Sequence, residues 1–169
     1  MTGIDCRLVD AAGNVGLIGS EDDMLKLTQD MMIGHPIIDV DHKKLISIIN
    51  QFLVTAKISE TLEGEVDGQN EAAMHVTLKQ LIVYTHEHFE REEKIQRECV
   101  YPYFDMHARE HRVLKAQLEE MASSYFITKS RKVNRQSLNE MGEFLRMWLF
   151  NHIMKFDMNY RDWVCPKGN

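Results

Sequence analysis

Five histidines and two acids have the types and spacing to do chemistry. In order they are His42, His88 with Glu92, His107 with His111, and His152 with Asp157. Imidazole nitrogens and carboxylate oxygens together bind transition metals. Four short clusters of such donors point to a pair of metal ions. The placement sharpens this. Each cluster sits in an apolar row of helical period: Ile38, His42, Leu45, Ile49 and Phe52; Leu78, Leu81, Thr85, His88, Glu92 and Ile95; His107, His111, Leu114, Leu118 and Met121; Leu138, Met141, Leu145, Trp148 and His152. Steps of three and four put each row on one helix face. The donors therefore belong to the buried row. There an unpaired ionised group costs several kcal/mol or is forced neutral. Coordination to a metal removes that penalty.

Four helices must position these rows. The pattern predicts the first from about 39 to 57 and a loop over 58–70. The second should run from about 71 to 98 and end before Tyr101-Pro102, because a proline disfavours helix in the residue before it. The third covers about 103–124, and the polar stretch 128–136 forms the next loop. Ser137-Leu138-Asn139-Glu140 has the form of a capping box and should open the fourth helix, which ends near residue 162. Short links between similar helices predict an all-α, up-down-up-down four-helix bundle over residues 31–165. Residues 1–30 form an extra N-terminal segment. Arg7–Asp10 and Val15–Ile18 flank a turn and could pair as a small hairpin. The acidic stretch Glu21-Asp22-Asp23 could open a short helix through Met31. This segment could cap the bundle, link it to something else or engage a protein partner.

One spacing is awkward. His152 and Asp157 are five residues apart, about 140° round a regular helix. Both face inward only if the helix widens locally into a π-bulge or the aspartate reaches in sideways.

Composition excludes several functions. With 169 residues the chain is long enough for one domain that buries about 70% of its unfolded surface. The net charge of −6, without a basic stripe interleaved with aromatics, argues against nucleic-acid binding. No apolar run reaches the roughly 18 residues of a membrane span, and the N-terminus lacks a signal core. Cys6, Cys99 and Cys165 are odd in number and far apart. They predict a reducing cytoplasm and no disulfide framework.

These residues resemble the hemerythrin family over about residues 33–163. Asp39 lies three before His42; His88-Phe89-x-x-Glu92-Glu93 follows; then come Tyr101-Pro102 with His107-x-x-x-His111, and Trp148-Leu149-x-x-His152-Ile153-x-x-x-Asp157-x-x-Tyr160. The resemblance implies that His107, His111 and His152 hold one iron, His42 and His88 the other, and that Glu92 and Asp157 bridge them beside an oxo or hydroxo group. Donor counting agrees with that division. The His42/His88 iron is left one ligand short, and its open position would take O2, nitric oxide or a small anion. Phe89, Trp148, Leu149 and Ile153 adjoin these ligands and would line the pocket. Glu90, Arg91, Glu93 and Lys94 read as a solvated face, and His35, His75 and His86 as surface or loop residues. The chain departs from the family in lacking a tryptophan between residues 24 and 38.

The resemblance implies reversible O2 binding for carriage, storage or delivery, with no catalytic residues. An O2, nitric oxide or redox sensor signalling through residues 1–30 is the alternative. A di-iron peroxidase or oxidase ranks lower, because ferritin-like oxidases use Glu-x-x-His motifs and this sequence has none.

Overall fold

The computed structural model describes residues 7–9, 15–17, 24–61 and 66–164. Four long helices form the expected bundle: α1 (Pro36–Thr61), α2 (Gly68–Glu98), α3 (Phe104–Ala122) and α4 (Arg135–His152), the last continued by α5 (Met158–Val164). Helix α1 packs on α2 and α4, and α2 on α3. At the N-terminus β1 (Arg7–Val9) and β2 (Val15–Leu17) pair antiparallel, with Leu8 opposite Gly16. The suggested helix from Glu21 falls partly outside the described residues. Within them only a 3-10 turn forms, at Gln29–Met31.

The helix ends follow local chemistry, and several begin earlier than the apolar rows indicate. Pro36 opens α1 with its φ already helical and no N–H to leave unpaired. The Asp39 carboxylate reaches back to accept the Ile33 and Gly34 N–H groups at 2.8 and 2.9 Å. Gly34 has φ 85°, a left-handed turn that glycine adopts freely. Asp67 caps α2 by accepting the Asn70 N–H at 2.8 Å. Helix α4 starts at Arg135, not Ser137. Asn134 is its N-cap, and Ser137 is the third residue of a reciprocal capping box with it. The motif that read as Ser137/Glu140 is therefore shifted by three residues, because Asn134 is as good a cap as serine.

Helix α2 ends in a Schellman arrangement. The Tyr101 N–H bonds the Gln96 carbonyl, the Val100 N–H bonds the Arg97 carbonyl, and Val100 sits at φ 55°.

The apolar core has two parts. The main one runs from Leu45 and Phe52 on α1 through Leu78, Leu81, Leu118 and Leu145. A small one gathers Ile33, Ile38, Tyr101 and Tyr160. His42, His88, His107, His111 and His152 fall in sequence between members of the two parts along α1, α2, α3 and the run from α4 into α5, so a polar layer is enclosed between apolar ends. Met31 and Ile33 are buried in the stretch that lacks the tryptophan. Leu25 is tied to α1 by two hydrogen bonds with the Asn50 amide, both 2.9 Å. No helix among the described residues is long and apolar enough to cross a membrane.

Candidate metal centre

The structure brings His42, His88, Glu92, His107, His111, His152 and Asp157 together, and all seven are buried. The chain reaches Asp157 through a π turn, Ile153–Asp157, inserted between α4 and α5. That widening resolves the five-residue spacing: residues five apart come round to nearly the same face of a turn closed i→i+5. His152 Nε2 and Asp157 Oδ1 end 3.0 Å apart.

The donors fall into two overlapping groups, Glu92, His107, His111, His152 and Asp157, and His42, His88 and Asp157. Both carboxylates span the division. Asp157 turns Oδ2 to His42 Nε2 at 3.1 Å and Oδ1 to His107 Nε2 at 3.1 Å. Glu92 turns Oε2 to His88 Nε2 at 3.3 Å and Oε1 to His107 Nε2 at 3.2 Å.

These close approaches are not hydrogen bonds. The Nε2 atoms of all five histidines, Glu92 Oε2 and both Asp157 oxygens are buried without a hydrogen-bond partner. Buried polar groups are rarely left so. Eight such atoms in one enclosed layer fit a centre that they coordinate in common. Five neutral imidazoles and two bidentate-capable carboxylates are a suitable donor set for two irons.

The electrostatics of the metal-free chain describe the same demand. Burial pushes Glu92 and Asp157 up, yet the surrounding imidazoles outweigh it and hold both well below the usual carboxylate range. Burial pushes His107 down, but Asp157 and Glu92 lift it to about 10. Against their burial, His42 is raised by Asp157 and Glu92, and His111 by Glu92 and Glu93. His152 is lowered, because its burial dominates. Two buried carboxylates held ionised in one layer call for positive charge beside them. Metal ions would supply that charge.

A second layer of polar groups holds the outer ring nitrogens. His88 Nδ1 is 3.2 Å from Asp41 Oδ2, His111 Nδ1 is 2.9 Å from Glu93 Oε1, and His107 Nδ1 is 3.1 Å from Gln96 Nε2. The Asp41 and Glu93 carboxylates accept there and so fix ring orientation and tautomer, whereas the Gln96 amide can do so for His107 only with its oxygen, rather than its NH2, turned to Nδ1. Sequence reasoning missed Asp41, Gln96 and Tyr84. It also read Arg91 and Glu93 as solvated. In fact Arg91 bonds the buried Asp41, and Glu93 is held below its ordinary value chiefly by its bond to His111. The available signal was their offset of one to four residues from a ligand position on α1 or α2.

The four apolar neighbours are all buried but lie differently. Phe89 stacks on the His111 ring at 3.7 Å and meets His152 edge-on at 5.2 Å. Trp148 lines, with His152 and Phe156, a cavity of about 380 Å³ between α3 and α4. Its indole N–H donates to the Leu114 carbonyl at 3.3 Å. All four belong to the main core, and Leu149 and Ile153 have no ring contact with the donor histidines. Of the remaining histidines, His86 is half-exposed and pairs with Glu119 at 3.1 Å. His35 lies in the turn before α1. His75 is half-buried on α2 and stacks on Phe126 at 5.3 Å, so it is neither a loop nor a fully exposed residue. Tyr160, fully buried with its hydroxyl unpartnered, is pushed well above its ordinary pKa by burial and by the charges of Glu92 and Asp157.

Comparison with known proteins agrees with this arrangement. The family model for the hemerythrin HHE cation binding domain matches residues 34–164. A bacteriohemerythrin of Stenotrophomonas maltophilia is 27% identical over 141 residues, 83% of this chain and 82% of the relative. One from Pseudomonas aeruginosa is 26% identical over 135 residues, 80% and 78% of the two chains. Among solved structures, that of a hemerythrin mutant is 27% identical with a TM-score of 0.61, covering 75% of this chain and 86% of the other.

Proposed function

The chain belongs to the hemerythrin family, and from that premise we propose that its buried cluster holds two irons and binds O2 reversibly. The observation that carries this reading is the set of eight unpartnered donor atoms in one layer between four helices. His107, His111 and His152 would hold one iron and His42 and His88 the other, with Glu92 and Asp157 shared. An iron pair there would supply an open coordination position on the His42/His88 side and the electrons for reversible O2 uptake.

The protein's own contribution is enclosure and orientation. Phe89 presses on His111 and His152 and keeps water from that side of the layer. The main core, with Leu149 and Ile153, closes one end, and Ile33, Ile38, Tyr101 and Tyr160 close the other. Asp41, Glu93 and Gln96 hold three of the five imidazoles by their outer nitrogens.

A sensory role is the second reading, favoured by one observation. Leu25 is bonded to Asn50 on α1, the helix that carries His42, so a change at His42 has a bonded path to the segment that precedes α1. Stopped-flow spectroscopy tests the main reading. The reduced, iron-loaded protein mixed with O2 should form an oxygenated species that reverses on deoxygenation. Irreversible oxidation without such a species would refute it.

A further inference from the structure

The two sides of the cluster are not held alike. On the His111 side, Glu93 accepts from one imidazole, and its nearest guanidinium, that of Arg97, stands 3.7 Å off. On the His88 side, the Asp41 carboxylate is gripped on both oxygens. Oδ2 accepts from Arg91 Nε at 2.8 Å, and Oδ1 accepts from Arg91 Nη2 at 3.0 Å and from the Tyr84 hydroxyl at 2.7 Å. Oδ2 also faces His88 Nδ1 at 3.2 Å. Tyr84 and Arg91 lie four residues before and three after His88, so both stand on its face of α2. The Arg91 guanidinium lies 5.4 Å from the centroid of the Tyr84 ring. Asp41 itself is buried and next to His42 on α1.

A two-point guanidinium bond fixes the plane of a carboxylate, whereas a single ammonium fixes only its distance. We propose that Arg91 is a positioning residue: with Tyr84 it locks Asp41 against His88 and so sets the affinity of the His42/His88 metal position separately from the other. The proposal rests on the two-metal reading above. Arg91 touches no donor atom of the centre. It acts only through Asp41, from a half-exposed position at the rim of a surface pocket formed with Pro36, Ile37, Val40 and Tyr84. Among the described residues no equivalent anchor holds His42 or His152, whose Nδ1 atoms have no partner there. The hold on His88 is therefore the strongest support on its side. Outer partners of metal-bound histidines are each worth about 10- to 100-fold in affinity.

The test is a titration of the metal-free protein with Co2+ under anaerobic conditions, reading visible absorption and bound equivalents. The unaltered protein should take two equivalents. Arg91→Gln should weaken one of them by up to about 10-fold, the low end of the range for a direct outer partner because Arg91 acts through Asp41, and leave the other in place. Arg91→Lys should recover part of the loss. Glu93→Gln should weaken the opposite equivalent. In a His42→Ala background, which removes one position, adding Arg91→Gln should change nothing further. Equal weakening of both equivalents, or of neither, overturns the proposal, as does a further loss in the His42→Ala background. Fewer than two equivalents in the unaltered protein overturns the two-metal reading itself, and the positioning role with it.

Discussion

His42 Nε2, the only donor that α1 contributes, stands 3.1 Å from Oδ2 of Asp157 at the end of the π turn, and the two are not hydrogen-bonded. The other oxygen of Asp157 faces His107 and His152 at 3.1 and 3.0 Å. One carboxylate thus serves both halves of the cluster, while His42 serves one. Asp157→Ala should lower the iron content from about two per chain to one or fewer, and His42→Ala should leave close to one. Metal analysis after loading with ferrous iron measures both. An unchanged iron content in Asp157→Ala would show that its placement between the groups is incidental.

Removing the metal should destabilise the fold in a pH-dependent way. A ligand at 100 times its Kd stabilises by about 2.7 kcal/mol, or roughly 5–10 °C for a chain of this size. In the metal-free protein, His107 is raised to about 10 from an unfolded value near 6.5. Its contribution is complete below about pH 6.5 and is lost as pH rises toward 10. The lowered Glu92 and Asp157 contribute above about pH 4 and lose that contribution in acid. The metal-free form should therefore be most stable between about pH 4.5 and 6.5, and its urea midpoint should fall on the alkaline side. A flat alkaline profile for the metal-free protein would contradict the buried charge pairing.

Leu149 is buried one turn before His152. Leu149→Ala should cost about 2–5 kcal/mol of stability. It should also admit water near the centre and speed autoxidation of the oxygenated protein, with iron content unchanged. Val83→Ala, on the exposed face of α2, is the control. A time course of decay at fixed pH decides: a rate equal to that of the unaltered protein would make Leu149 ordinary core.

Val100 carries a β-branched side chain at φ 55° and is exposed, so its side chain gains little from packing. A left-handed residue of this kind costs roughly 1–2 kcal/mol. Val100→Gly relieves that strain but adds chain entropy to the unfolded state, leaving a net gain of about 0.5–1 kcal/mol. Chemical denaturation of the metal-loaded protein measures it. A loss of stability would mean that the valine is held by more than the Schellman bonds.

The amino-acid sequence alone determined the bundle and the membership of its polar layer. Apolar rows with steps of three and four define helix faces without reference to any partner. Histidines and acids inside such rows are costly enough that the pattern is informative by itself. Even the irregularity after His152 followed from counting, because five residues do not return to one face of a regular helix.

Only the tertiary structure decided which atoms face each other. Asp41, Tyr84 and Arg91 come from two helices, and nothing in their local spacing separates a half-exposed arginine that grips a buried carboxylate from one that is merely solvated. The same holds for Glu93 on His111 and Gln96 on His107. Helix starts were displaced for a related reason: the apolar row marks where a helix is buried, whereas its first turn is set by caps such as Asp67 and Asn134, which lie before that row begins. Periodicity reports which side of a helix is buried, but the pairing of polar side chains across helices depends on how the helices are rotated and spaced, and that is set by packing of the whole core.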